Sequence, residues 1–361
     1  MNILPLFKKK ALPVLLPNAE KVNLEKTLSE SLKMKSPLVL YGEERLAVQE
    51  IRAMTAALNR NNLTRTKAYI AFYIKHPEIH WAFLAHMVSR NGGYSMTDLK
   101  NGLVGQFLPE KEITALFQFL ETANALIFHD AYPQLLLYEK SLLSGRPLFH
   151  LLPALNVSRF MKPIWELFFK KRQSDVLTLA LITNEQNYVE KQLVSNSSIL
   201  KTFPYAVQEK CGLTKVVFPY KKYFYDSKYS LAGTEVENFI KPEARIKIGK
   251  TLYQTLFHPA VFEEALFFSK HTPHTGSRSD YWPHLFTPNK EKFKIQSPKL
   301  QEAWEDVPHH FQRYSDWLLN TEQISEFDAF HQTGTYKDMT KNVKMDLLKL
   351  SSLQLITKQI L

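Results

Sequence analysis

From Ile79 to Val88 the chain reads Ile-His-Trp-Ala-Phe-Leu-Ala-His-Met-Val, with apolar side chains around the whole circumference of a helix. A helix that is apolar on every side is one that the rest of a protein covers. Pro77 suits a first helical turn, where no backbone N–H is needed, and Glu78 favours the positive end of the dipole. The pattern predicts a buried helix from Pro77 to about Arg90, with His80 and His86 carried inside. Arg90-Asn91-Gly92-Gly93 predicts its end, because Gly and Asn accept the left-handed conformation after a last turn. Ser95-Met-Thr-Asp98 has the form of a capping box, with Asp in place of Glu or Gln, and predicts a second helix over about Met96–Phe107. Between the two lies a tight polar corner.

Elsewhere the spacing is that of amphipathic helices. Leu24, Leu28 and Leu32 mark one over Asn23–Lys35, and Leu46, Val48, Ile51, Met54 and Leu58 another over Glu43–Arg60. After a break and cap at Asn61–Thr64, a helix over Arg65–Lys75 sets Arg65, Tyr69, Phe72, Tyr73 and His76 on one face. Pro109 opens a helix to about Ala123, and Pro133–Leu143 is a short one. Arg159–Lys171, Asp175–Ser195, Pro242–His271 with a bend or break at Pro259, Leu300–Leu319 and Asp338–Ile360 follow. Pro204, Pro219 and the aromatic run Phe218–Tyr225 interrupt this rhythm, and Val216–Phe218 has the character of a short strand. Residues 272–298 carry Pro273, Pro283, Pro288 and Pro298 and read as a loop. The expected fold class is all-α: a compact multi-helix body with a buried central helix and an irregular aromatic and proline-rich segment. Residues 1–20 read as a flexible basic arm and 21–361 as one helical domain, weakly subdivided at most near 196–235.

Composition narrows the functional classes. With 361 residues and 45% hydrophobic content, the chain can bury one large core or two ordinary ones. Its 11 glycines disfavour Gly-rich nucleotide-binding architecture. A single cysteine, Cys211, excludes an intrachain disulfide and a cysteine-based zinc site, and fits a reducing, cytoplasmic setting. The net charge of +11 is spread out; Lys8–Lys10, Lys170–Arg172 and Lys221–Lys222 are the densest runs, and none is long enough to stand as a nucleic-acid signature. The apolar run in residues 11–16 is broken by Pro13 and fails the secretory pattern. That arm suits weak contact with an anionic membrane surface, although a disordered or surface-packed tail reads better.

Candidate chemistry gathers in few places. His76 and His80 are four apart, but Pro77 occupies the position where the zinc-helix motif has Glu, and no metal is assigned. The loop His271–His284 is either a binding loop or one pinned by an Arg278–Asp280 pair and by packing of Trp282. Glu185, on an apolar helix face, is either an acid–base group or the ion-pair partner of Arg65 or Arg90. Candidates for acid–base chemistry are His80, Asp98, Glu185, His274 and Asp280. Candidates for ligand contact are Arg65, Arg90, Asn91, Ser277, Arg278, Trp282 and His284. No phosphate-cradling loop or Gly-x-Ser-x-Gly elbow is present. Lys221 and Lys222, interleaved with the aromatics of Phe218–Tyr225, have the makings of a stacking surface for single strands, but packing is the favoured reading and nucleic acid is not the favoured partner.

Asn62–Tyr69, His76–Leu99, Ala180–Tyr188 and Pro273–Phe286 resemble an uncharacterised bacterial family, the YppC-like proteins of Bacillus, and the resemblance spans residues 40–330. It implies a bacterial, cytoplasmic protein and supplies no activity, cofactor, partner or catalytic residue. The function expected is binding or scaffolding, with a polar pocket formed by the 77–98 corner and the 273–286 loop. The alternatives are a hydrolase- or lyase-like enzyme using His, Asp and Glu, and a peripheral binder of anionic lipid or nucleic acid.

Overall fold

The computed structural model describes residues 15–33, 40–101, 104–194, 215–223, 225–236, 241–311, 316–328, 330 and 335–360. Cys211, Lys8–Lys10 and most of the basic arm lie outside them. The first half of the chain is helical: α1 (Asn18–Lys33), α2 (Gly42–Leu58), α3 (Asn62–Lys75), α4 (His80–Asp98), α5 (Glu110–Leu143), α6 (Met161–Lys171) and α7 (Ser174–Val189). Antiparallel strands β1 (Lys215–Tyr220) and β2 (Ser230–Glu235) follow, then α8 (Pro242–Leu256) and α9 (Pro259–His271). A two-residue parallel pair, β3 (Phe286–Thr287) with β4 (Ile295–Gln296), precedes the single turn α10 (Leu300–Ala303) and the closing helix α11 (Thr340–Ile360). The protein is thus mostly α, with helices building the core and two small strand pairs at its side.

Helix α4 lies in the middle, against α3, α5, α7, α8 and β1. Trp81, Ala82, Phe83, Leu84 and Met87 are all buried, as their all-round apolar pattern requires. Burial of side chains of this size stabilises by about 1.5–3 kcal/mol each. Helix α3 supplies much of the cover: the Tyr69 ring meets Trp81 edge-on at 5.5 Å, and Tyr73 stacks on Phe83 at 5.0 Å.

The bounds of α4 differ from expectation at both ends. Pro77 and Glu78 form a turn closed by Ile79 N–H to His76 C=O, and the helix starts at His80. Gly92 and Gly93 do not end it; it runs through them to Asp98, so the polar corner does not exist. The glycines are there for close approach. A Cβ on Gly93 would stand 2.5 Å from Asn62 Oδ1 and 2.6 Å from His274 Nε2. Ser95 and Thr97 cap nothing: their hydroxyls donate back to the carbonyls of Asn91 and Gly93 at 3.1 and 3.0 Å.

Three other boundaries move. Helix α5 is one rod of 34 residues that passes through Pro133, because Phe128, Tyr132, Leu135 and Leu136 bury it on both sides of the missing N–H. The helix expected over Leu300–Leu319 stops at Ala303, where Trp304 leaves to stack on Phe117 at 3.9 Å and Pro308 disfavours helical Val307. Within the first twenty residues, expected to be a flexible arm, Leu16 is buried and α1 begins at Asn18; residues 1–14 lie outside the described residues. Among the described residues no helix is long and apolar enough to cross a membrane.

Candidate functional site

The second half of α4 points Arg90, Tyr94 and Asp98 at the segment that follows α9. Gly276, with φ of 79°, turns that segment so that Asp280 folds back onto Thr275, accepting from its N–H at 2.9 Å and its hydroxyl at 2.6 Å. Arg278 then grips Asp98: Nε lies 2.9 Å from Oδ1 and Nη2 2.6 Å from Oδ2. The pairing of Arg278 with Asp280 expected from sequence is therefore replaced by one across the two elements. Asp280 instead faces Arg90 at 3.7 Å and accepts from Tyr94 Oη at 3.2 Å. Arg90 also donates to the Thr272 carbonyl at 2.8 Å and lies over the Phe268 ring at 4.3 Å.

Charge in this network is held in place by its partners. Burial pushes the His274 imidazole down to about 4, so it is neutral at pH 7 and donates from Nε2 to Asn62 Oδ1 at 2.9 Å. Burial opposes the charge on Arg278, but Asp98 and the Tyr281 hydroxyl outweigh it and hold the guanidinium above its ordinary value. Burial likewise works against ionised Asp280, and the hydrogen bonds of its neighbours leave its carboxyl below the usual range. The side chains are sealed: Arg90 and Asp280 are 2% and 4% exposed. The space left beside Asp98 and Arg278 is about 40 Å3, room for one or two waters. Arg90, Asp98, His274, Arg278 and Asp280 come together, and what they form is a clamp between α4 and the loop.

The remaining candidates are dispersed. Asn91 clips β1 to α4, donating to Lys215 C=O at 3.3 Å and accepting from Val217 N–H at 3.1 Å. Ser277 donates to Ser297 C=O, and buried Trp282 donates to Tyr229 C=O at 2.8 Å. His284 is exposed on the surface. His80 sits at the far end of α4, with Nδ1 2.8 Å from Tyr253 Oη and its ring on Phe257; burial lowers its pKa. Neither Arg65 nor Arg90 pairs with Glu185. Arg65 is engaged by buried Glu121 at 2.5 Å and Arg90 by Asp280, so both guanidiniums are spoken for elsewhere.

Glu185 occupies a different place. It projects from α7 into a pocket of about 260 Å3 enclosed by α4, α5, α7 and α8. Leu84, Val88, Phe119, Ile182 and Ile248 are among the apolar side chains of its wall. Trp81 Nε1 and Gln186 Nε2 donate to the carboxyl at 3.2 and 3.1 Å, and no cation touches it among the described residues. The surface Glu185 retains lines the pocket, and desolvation raises its pKa to about 8. Glu185 is therefore a neutral acid at pH 7, able to donate and to accept. Beside it stands Tyr69, whose buried hydroxyl has no partner among the described residues.

Sequence reasoning set Tyr69 on one helix face with Arg65, Phe72, Tyr73 and His76 but did not assign it to a site. It missed Asp130 altogether. That carboxyl accepts from Asn184 Nδ2 at 2.5 Å and Gln134 Nε2 at 3.0 Å, leaves Oδ1 unpaired, and is raised by burial to about 8. The signal was there: a lone carboxylate between Leu126-Ile-Phe128 and Ala131-Tyr132.

Over 279 residues the chain is 43% identical to the uncharacterized protein YppC of Bacillus subtilis (strain 168), an alignment that takes in 76% of this chain and 84% of the relative. No solved structure matches it. The model of a family described as a protein of unknown function, DUF2515, matches residues 57–350, and the chain belongs to that family.

Proposed function

We propose that this protein is a non-enzymatic binder of a small, mostly apolar molecule with one polar end, held in the pocket among α4, α5, α7 and α8. The observation that carries the reading is the pairing of an apolar wall with two polar groups that no cation satisfies, Glu185 and Tyr69. Concave, largely apolar sites with a few convergent polar groups are where small molecules bind. Scale supports it too. A cavity of about 150 Å3 admits benzene, so 260 Å3 suits a two-ring or similarly sized ligand. Neutral Glu185 and the Tyr69 hydroxyl would meet a hydroxyl or carbonyl at its end. The 273–286 segment enters as the brace that fixes α4, through Arg278–Asp98 and Arg90–Asp280. Sealing of His274 with those carboxylates counts against acid–base turnover there. A cytoplasmic setting belongs to the same reading, because one cysteine makes no intrachain disulfide.

The test is calorimetric titration with 2-naphthol, two fused rings bearing one hydroxyl. Saturable one-to-one binding is expected, accompanied by a change in Trp81 emission, with at least a tenfold loss in Ala85→Phe, which fills the pocket from α4. Absence of binding to the folded wild type, or equal binding by Ala85→Phe, overturns it.

A further inference from the structure

The aromatic run that interrupts the helical rhythm is divided by the structure into two halves with opposite fates. Strands β1 and β2 pair from Lys215↔Glu235 to Tyr220↔Ser230, so residues 221–223 and 225–229 belong to the turn between them. Phe218 and Tyr220, within the ladder, are wholly buried. Tyr223 and Tyr225, in the turn, are 52% and 70% exposed. Their rings are parallel to within 2°, with centroids 5.4 Å apart. Tyr223 N–H donates to Asp226 Oδ2 at 3.0 Å, which fixes the turn that presents them. Packing therefore accounts for the inner aromatics and not for the outer pair.

Lysines surround that pair. Lys222 and Lys228 are exposed on either side of it and form no ion pair among the described residues. The Trp282 indole, donating to the Tyr229 carbonyl, ties the turn to the segment that leads into β3, and the β3–β4 loop follows it. That loop exposes Lys290 and Lys292, and at its tip Phe293 is 91% exposed with Lys292 Nζ 5.8 Å from its ring. Lys344 of α11 reaches the same place, 5.6 Å over the Trp282 ring. His284 reports the convergence: after burial, the charges of Lys228, Lys344 and Lys294 lower its pKa. Among the described residues the acidic groups near the turn and loop include Asp226, used inside the turn, Glu291, which accepts from Thr287 Oγ1 and faces Lys294, and Asp338, which accepts from Tyr220 Oη at 3.3 Å.

We propose that the face made by the β1–β2 turn and the β3–β4 loop binds single-stranded nucleic acid, with bases stacked on Tyr223 and Tyr225 and phosphates met by the lysines around them. Flat exposed rings interleaved with cations are what an unpaired base and its phosphate need together. In a duplex the base faces are already stacked, and neither the turn nor the loop is a helix that enters a major groove. Stacking on ring faces is indifferent to which base is stacked, so recognition is sequence-tolerant. An anionic membrane would meet the same lysines, but it calls for a continuous apolar face, and among the described residues of the turn and loop Phe293 alone offers a fully apolar exposed ring. The site is remote in kind from the Glu185 pocket and stands on separate observations.

The experiment is fluorescence anisotropy on the full chain with labelled oligo(dT) and oligo(U), a duplex of matched length, and sedimentation with phosphatidylserine vesicles. Both single strands bind at low salt, and the duplex binds at least tenfold more weakly. Tyr223→Ala with Tyr225→Ala lowers single-strand affinity about tenfold or more. Lys222→Glu with Lys228→Glu weakens binding and flattens the log–log salt slope by roughly 0.7 per lost phosphate contact. Lys170→Glu, on exposed α6, changes neither. All these positions are exposed, and unchanged far-UV circular dichroism and melting show that the fold survives. Three results overturn the proposal: no single-strand binding at low salt, single-strand affinity unaltered by the tyrosine changes, or binding to vesicles alone.

Discussion

A buried hydroxyl without a partner costs about 1–3 kcal/mol, and Tyr69 carries one into the pocket. Tyr69→Phe should therefore stabilise the ligand-free protein by about 1 kcal/mol in urea melts while weakening its grip on 2-naphthol. A variant less stable than wild type would mean that the hydroxyl is satisfied, and the polar half of the site would go with it. The same wall explains what could be seen beforehand of Glu185. That a carboxylate on an apolar helix face needs either a partner or a raised pKa was legible in the sequence; which of the two applies was not. The answer depends on where Arg65 and Arg90 spend their charge, and Glu121 and Asp280 claim them from 56 and 190 residues away. Pairings over such distances leave no periodic trace. Asp130 escaped for a plainer reason: surrounded by apolar neighbours on a helix, a single acid reads as solvent-facing unless the opposite face is also known to be covered.

Helix α4 shows what pattern can and cannot say at the scale of an element. Its burial followed from apolar residues on every side, and Trp81, Phe83 and Leu84 are 1%, 0% and 4% exposed. Its length did not follow. Gly-Gly after Arg90 has the composition of a helix end, yet tertiary packing recruits both glycines as small residues. Gly93→Ala tests this directly, because a true helix-interior position would gain about 1 kcal/mol from alanine, whereas overpacking costs about 1–3 kcal/mol. With Asn62 Oδ1 and His274 Nε2 within 2.6 Å of the new methyl, a net loss is expected in urea denaturation; a gain would show an uncrowded helix-interior position and contradict the close-approach reading. The clamp between α4 and the 272–282 loop makes a second prediction. Arg278→Ala leaves Asp98 buried without its cation and should cost about 3–5 kcal/mol. The volume-matched pair Arg278→Met with Asp98→Leu should recover most of that loss, since a buried ion pair holds little net stability over apolar packing. If the double variant is as unstable as the single, the two charges are needed for more than holding the loop.

Among the described residues, two carboxyls sit in the interior with pKa values raised to about 8, Glu185 and Asp130, and burial is the leading cause for both. In the unfolded chain they titrate near 4.5 and 3.8. Between about pH 4 and pH 8 the native state therefore binds more protons than the unfolded one, and stability falls as pH rises through that window. The contribution is complete below pH 4 and gone above 8. Glu185→Gln and Asp130→Asn, which keep the shape and remove the titration, should each flatten the decline in melting temperature from pH 5 to pH 8. A parallel decline in wild type and both variants would place the proton uptake elsewhere.

That a desolvated, uncharged acid faces an apolar pocket is the claim on which the binding reading stands, and NMR of the chain labelled with 13C at the glutamate side-chain carboxyl measures it. Followed from pH 4 to pH 10 and assigned through Glu185→Gln, the Glu185 resonance should titrate with a midpoint near 8. A midpoint in the ordinary carboxylate range, about 4 to 5, would show a solvated, ionised side chain and contradict the account.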